Sequence, residues 1–170
     1  MFAKKGIVLS SVLSFVLVGC TPPSTSSENP QSAAVSTPEA TDAGSSGVIA
    51  VEAIAPNPGT YNFSVTLQSD DTGCDQYANW WEVITPEGEL LYRRILAHSH
   101  VDEQPFTRSG GPVEIAADQE VIVRSHFNPT GYSTQAMKGT ASSGFEPTAL
   151  PADFAIALAD ADPQPSGCAF

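Results

Sequence analysis

The sequence has few basic residues, few cysteines and few histidines, and each scarcity argues against certain classes of function. Its 170 residues include 7 Lys and Arg against 19 Asp and Glu, a formal net charge of -12. Nucleic acids and anionic lipid surfaces are bound through Lys and Arg that neutralise phosphate, so neither is an expected partner. The chain also lacks G-x-S-x-G, H-E-x-x-H, a glycine-rich phosphate loop and any C-x-x-C spacing. We therefore expect a protein that is not an enzyme.

The N-terminus has the organisation of a signal peptide. Two lysines precede a mostly apolar run over residues 7–18, which is too short to span a bilayer of roughly 30 Å as a helix. The run leads into a motif that resembles the lipobox of bacterial lipoproteins, Leu17-Val18-Gly19-Cys20. The resemblance implies that residues 1–19 are removed and that Cys20, diacylated with fatty acids such as palmitate, becomes the mature N-terminus.

The same resemblance predicts where the protein resides. Two or three acyl chains would anchor Cys20 stably in a lipid bilayer, whereas a single chain binds only marginally. Thr21, rather than aspartate, follows the cysteine, and the sorting pattern of this class then implies the outer membrane in a cell that has one. The expected location is the bacterial cell envelope. Removal of both leader lysines leaves five basic and nineteen acidic side chains, a formal charge of -14.

A tether and a single domain follow the lipobox. Of the twenty-seven residues from Thr21 to Gly47, fifteen are Ser, Thr or Pro and none is aromatic, so residues 20–47 are predicted to be disordered. Residues 48–170 are enough for one domain with one core.

Short runs of β-branched and aromatic residues recur through this domain. They begin at positions 48, 61, 78, 90, 112, 120, 132 and 154. Turn residues at 56–59, 86–89, 109–112 and 128–131 separate some of these runs. Seven to eight strands of this length predict an all-β fold, a single antiparallel β-sandwich, with a small closed β-barrel as the alternative. The pattern resembles immunoglobulin-like or fibronectin type III sandwiches, with a tryptophan strand in the middle of the order.

Alternation along the predicted strands orients some side chains. Trp81 and Val83 share one face, whereas Trp80 lies on the other, so one tryptophan is expected in the core and its neighbour is expected to be partly exposed. By the same reasoning Arg124 and His126 point away from the main core.

Two cysteines remain once Cys20 carries lipid. In an oxidising compartment Cys74 and Cys168 are expected to form a disulfide, which would stabilise the fold by about 3 to 5 kcal/mol. Two free thiols that bind a metal are the alternative.

The basic residues of the mature chain cluster centrally and suggest a ligand site. Arg93, Arg94 and Arg124, together with Trp80 and Tyr92, form a candidate pocket for a small anionic ligand. The alternative is that these arginines pair with carboxylates such as Glu82. Trp80, Tyr92 and Phe106 are also candidates for an exposed aromatic platform that binds a sugar or an envelope protein.

A histidine pair gives the second candidate site. His98 and His100 project to the same face of an extended strand, and His126 on a neighbouring strand would complete a three-histidine set for zinc or copper. Asp102 or Glu103 could supply oxygen instead. The alternative is a polar strand end. The acidic stretch over residues 69–75 hints at calcium, but a solvated turn is expected there.

The sequence therefore predicts a membrane-anchored lipoprotein whose β-domain is a non-catalytic binding module with no cofactor. The alternative function is a divalent-metal module that uses the three histidines.

Overall fold

The computed structural model describes residues 46–169. The predicted signal peptide (1–19), the lipidated Cys20 and all but the last two residues of the predicted tether (20–47) lie outside the described residues. Gly47, the last residue of that tether, already belongs to the first strand. No helical segment within the described part has the length and apolarity needed to cross a membrane.

The described residues form two antiparallel sheets that are not closed into a barrel, which confirms the predicted β-sandwich. One sheet has the order β1-β2-β5, and the other has the order β4-β3-β6-β8-β9 with the short β7 paired to β6. The strands are β1 (Gly47–Asn57), β2 (Thr60–Gln68), β3 (Tyr77–Ile84), β4 (Leu90–Ile95), β5 (Phe106–Glu114), β6 (Val121–Asn128), β7 (Gly131–Tyr132), β8 (Gln135–Thr140) and β9 (Gly144–Ala149).

The connections resemble those of immunoglobulin-like sandwiches. The chain passes from one sheet to the other after β2, after β4 and after β5. Three of the predicted turns join neighbouring strands, at 56–59, 86–89 and 128–131.

The main core lies between the two sheets. Alternate residues of β2 and β3 meet there, including Phe63, Val65, Trp81 and Val83, all without solvent exposure. The prediction that one of the two neighbouring tryptophans lies in the core is confirmed, and this residue is Trp81.

The outer face of the larger sheet is buried as well, because the C-terminal segment covers it. Residues 150–169, here called the strap, contain the 3₁₀ helix Ile156–Asp160. Phe154 and Leu158 of the strap pack against Ile84 and Ile122 on that outer face. The predicted strand at position 154 is therefore wrong. The predicted partial exposure of the second tryptophan is wrong too, because Trp80 is only 2% exposed.

The predicted turn at 109–112 is also wrong, since these residues lie within β5. A Cβ added at Gly110 would lie 2.7 Å from the hydroxyl oxygen of Tyr92 and 3.0 Å from the Trp81 ring. Glycine at this position therefore makes room for core aromatics rather than a turn. The structure further adds β9, which sequence patterning missed.

The disulfide between Cys74 and Cys168 is present, with the two Cα atoms 5.6 Å apart. It links the acidic stretch before β3 to the end of the strap. The alternative of two free thiols is wrong.

Candidate functional site

The connection between β4 and β5 forms one wall of an open cleft of about 490 Å³. Its first residue, Leu96, is buried and continues the pairing with β3 by donating its N–H to the carbonyl of Asn79 at 2.9 Å. Ala169, at the end of the strap, pairs with the same connection. It donates its N–H to Ala97 at 2.8 Å and accepts from Ser99 at 3.3 Å. The residues that line the cleft are His98, Ser99, His100, Val101, Asp102, Glu103 and Ala169.

His100 is the most constrained side chain in this cleft. Only 3% of the residue is exposed, and its ring stacks on Phe106 with centroids 3.8 Å apart. The ring of His98 lies 4.4 Å from that of His100 between centroids, with the planes inclined by 40°. Neither ring nitrogen of His100 has a hydrogen-bond partner among the described residues. Buried polar atoms are nearly always paired, so His100 stands out among the described residues, as do Trp80, Trp81 and Ser125.

The Asp71 carboxylate fixes the position of the backbone at His100. Its carboxylate accepts the backbone N–H of His100 at 2.7 Å and that of Ala78 at 2.9 Å, and the hydroxyl of Ser69 also donates to it. The same carboxylate lies 3.7 Å from Nδ1 of His100.

Asp71 belongs to the acidic stretch that the sequence predicts as a solvated turn, yet it is only 7% exposed. Sequence analysis thus missed its role at the site. The disulfide is the feature of the sequence that could have located Asp71. It joins Cys74 in this stretch to the strap, whose Ala169 borders the histidine cleft.

Burial favours the neutral form of His100. It lowers the pKa of His100 from 6.5, and Arg108 and His98 lower it further, while Asp71 and Glu103 act in the opposite direction. Arg108 itself pairs with Glu103 at 2.7 Å across the exposed rim. The hydrogen bond from Arg108 lowers the pKa of the Glu103 carboxyl. A neutral imidazole offers a lone pair to an incoming ligand at neutral pH.

The third histidine of the predicted metal set lies elsewhere. The His126 ring stacks on Trp80 with centroids 3.8 Å apart, and its Nδ1 lies 2.8 Å from Oδ1 of Asn79. Within residues 46–169 no group of three or more His, Cys, Asp or Glu side chains is arranged to hold a metal ion. The structure therefore brings His98 and His100 together and does not assemble them with His126.

The candidate ligand-binding set divides between the two faces of the sheet. Arg93, Arg124 and Trp80 converge on the strap side, where both arginines bind the buried carboxylate of Glu82 at 2.7 and 2.8 Å. Arg93 also donates to strap carbonyls at Ala161, Pro163 and Leu158, and Arg124 donates to those of Phe154 and Ala155.

The predicted anion pocket is thus filled from within the chain by Glu82, as the alternative prediction proposed. Arg94 is exposed, and Tyr92 packs on the core side against Trp81, so neither joins Arg93. The aromatic platform is wrong too, because Trp80 and Phe106 are buried at separate places.

Comparison with known proteins gives one partial likeness. Over 83 residues the chain is 47% identical to a protein from Halomicrobium mukohataei described as "Putative lipoprotein". The match covers 48% of this chain and 40% of that relative, so the chain spans less than half of the relative's length. No family model and no solved structure matches the chain.

Proposed function

We propose that the chain is a lipid-anchored protein of the cell envelope whose β-sandwich is a non-catalytic binding module, with the cleft at His98 and His100 as its binding site. The single observation that carries the binding site is His100, buried at the cleft with neither ring nitrogen paired among the described residues. Burying such a group without a partner costs free energy, which a ligand would recover.

The lipid anchor rests on the lipobox at residues 17–20 and on the likeness to the Halomicrobium mukohataei protein. Acylated Cys20 would attach the chain to a bilayer, the outer membrane in a cell that has two. The Ser-, Thr- and Pro-rich stretch after it would allow the domain a reach on the order of 30 Å from that surface.

The arrangement of the cleft favours binding over catalysis. Its hydroxyl group, Ser99 Oγ, donates to the Asp71 carboxylate at 3.5 Å rather than to either histidine. A nucleophilic serine usually lies about 2.6 to 3.2 Å from its base, closer than this contact.

The charges of the cleft indicate the kind of ligand. Asp102 and Glu103 line it beside the neutral His100, in a chain of strongly negative net charge. A ligand that carries positive charge suits this surface better than an anion.

Detergent partitioning tests the anchor. The wild-type protein expressed in a bacterial host should enter the detergent phase, and Cys20→Ser should remain in the aqueous phase. Thr21→Ser is the matched control and should behave as wild type. Equal partitioning of Cys20→Ser and wild type would contradict the anchor.

Chemical-shift mapping tests the cleft. The full chain would be titrated with separate probes: zinc, calcium, an oligosaccharide and a basic peptide. Amide shifts that cluster at residues 97–103 with any probe support the binding site. If no probe shifts these amides, the binding proposal is wrong.

A further inference from the structure

We propose that His98 and His100 are direct ligands of a divalent transition metal, zinc or copper, and that Asp71 orients His100 for this role. This inference rests on the proposed binding function of the cleft and names the class of ligand. It also replaces the three-histidine site with a two-histidine site, since His126 lies against Trp80.

The two imidazoles already stand at nearly the required separation. Zinc binds histidine nitrogen at about 2.0 to 2.1 Å, so two rings that share one tetrahedral ion have centroids roughly 5 Å apart. The centroids of His98 and His100 are 4.4 Å apart, with the ring planes inclined by 40°. The His98 side chain is exposed and would rotate to share the ion, whereas the stacked ring of Phe106 fixes His100.

The unpaired nitrogens of His100 are an independent sign of a ligand. A neutral imidazole has one N–H donor and one acceptor nitrogen, and both ordinarily find partners when buried. Neither nitrogen of His100 does so among the described residues, although the residue is 97% buried. A metal at Nε2 would pair one nitrogen directly.

The Asp71 carboxylate would accept a hydrogen bond from the other ring nitrogen of His100, Nδ1. Histidines that bind metals usually donate their second N–H to a carboxylate or a carbonyl, which fixes the tautomer and the ring orientation. The Asp71 carboxylate lies 3.7 Å from Nδ1 of His100 and is itself held by two backbone N–H groups. Shortening of this distance to that of a hydrogen bond would place the proton on Nδ1 and leave the Nε2 lone pair for the metal.

Protein oxygen and water would fill the remaining positions. Asp102 lines the same cleft, whereas Glu103 is paired with Arg108. As the side chains stand, no third His, Cys, Asp or Glu among the described residues joins the two histidines. We therefore assign two fixed nitrogen ligands, with Asp102 joining by rotation. Imidazole ligands favour zinc and copper, whereas calcium and magnesium favour sets made of oxygen alone.

Isothermal titration of the full chain in detergent, without a polyhistidine tag and after chelation, tests the site. Zinc or copper should bind as a single ion per chain, and magnesium should give no heat. His98→Ala, which removes an exposed side chain, should weaken zinc binding by more than about tenfold. His126→Phe is the matched control, because it removes the histidine that lies away from the cleft, and it should leave zinc affinity unchanged.

The outcomes separate this inference from the proposed function. Absence of zinc and copper binding, or equal zinc affinity in His98→Ala and wild type, overturns the metal site. If an organic probe still shifts amides 97–103 in that case, the binding module stands and only the metal is wrong. If no probe shifts them, both proposals fail.

Discussion

Glu82 and Arg93 face each other across β3 and β4 and form an ion pair of 2.7 Å in which neither side chain is accessible to solvent. Arg124 binds the other oxygen of the same carboxylate from β6. The spare N–H groups of both arginines hold the backbone of the strap. The arginines that the sequence predicts as part of a ligand pocket therefore fasten the C-terminal segment to the sandwich.

Removal of one arginine should release that segment. Arg93→Leu removes one of the two positive charges that pair with the Glu82 carboxylate. It also removes three hydrogen bonds to strap carbonyls. Breaking a buried ion pair typically costs about 3 to 5 kcal/mol. We expect a loss of that size in urea unfolding, with faster amide exchange at Leu158. Arg94→Leu changes the exposed neighbour and should cost less than about 1 kcal/mol. Equal losses of unfolding free energy in the two variants would contradict the role of Arg93 in fastening the strap.

The disulfide should provide a separate part of the strap's stability. Cys74 and Cys168 are 94 residues apart in sequence, and a cross-link of that span is worth about 4 to 5 kcal/mol in the chain-entropy model. The double variant Cys74→Ser, Cys168→Ser avoids a free thiol and should lose about that free energy of unfolding while retaining its β-sheet circular dichroism. A change of less than about 1 kcal/mol would show that the disulfide does not constrain the chain.

Acid should destabilise the fold through His126. Burial, with help from Arg93 and Arg124, lowers its pKa from 6.5 to about 4, and Trp80, Tyr132 and Asn79 surround the ring. The unfolded chain binds this proton more readily. The stabilisation is therefore complete above about pH 6.5 and is lost as the pH falls towards about 4. Urea midpoints measured across this range should fall more steeply for wild type than for His126→Phe, which still stacks on Trp80. Parallel pH profiles would contradict this assignment.

Asp71 should matter to both stability and metal binding. In Asp71→Asn one side-chain oxygen becomes an amide NH2 group, so the side chain can no longer accept from both Ala78 and His100. We expect a loss of about 1 to 3 kcal/mol of unfolding free energy and roughly 10- to 100-fold weaker zinc binding. Asp70→Asn alters the exposed neighbour, whose carboxylate accepts from Ser46 and not from the His100 segment, and is the control. Unchanged zinc affinity in Asp71→Asn would remove Asp71 from the site.

The sequence pattern was sufficient for the sandwich because alternation and turn residues are local properties. It predicted correctly that one tryptophan lies in the core, and this is Trp81. It predicted partial exposure of the second tryptophan, but Trp80 is covered by His126 and Arg93, which lie on other strands. It also misread Gly110 as a turn, although a neighbouring aromatic requires that glycine.

The candidate site could be predicted only in part for the same reason. The i, i+2 spacing of His98 and His100 is visible in the sequence, and the two rings do lie together. The register that places His126 opposite Tyr132, and the position of Asp71 beneath His100, depend on pairings between distant segments. These cannot be read from spacing.

X-ray absorption at the zinc edge of the metal-loaded full chain tests the central claim most directly. The account predicts nitrogen and oxygen neighbours at about 2.0 Å, with outer-shell scattering from two imidazoles in wild type and from one in His98→Ala. A spectrum without imidazole scattering, or one that His98→Ala leaves unchanged, would contradict it.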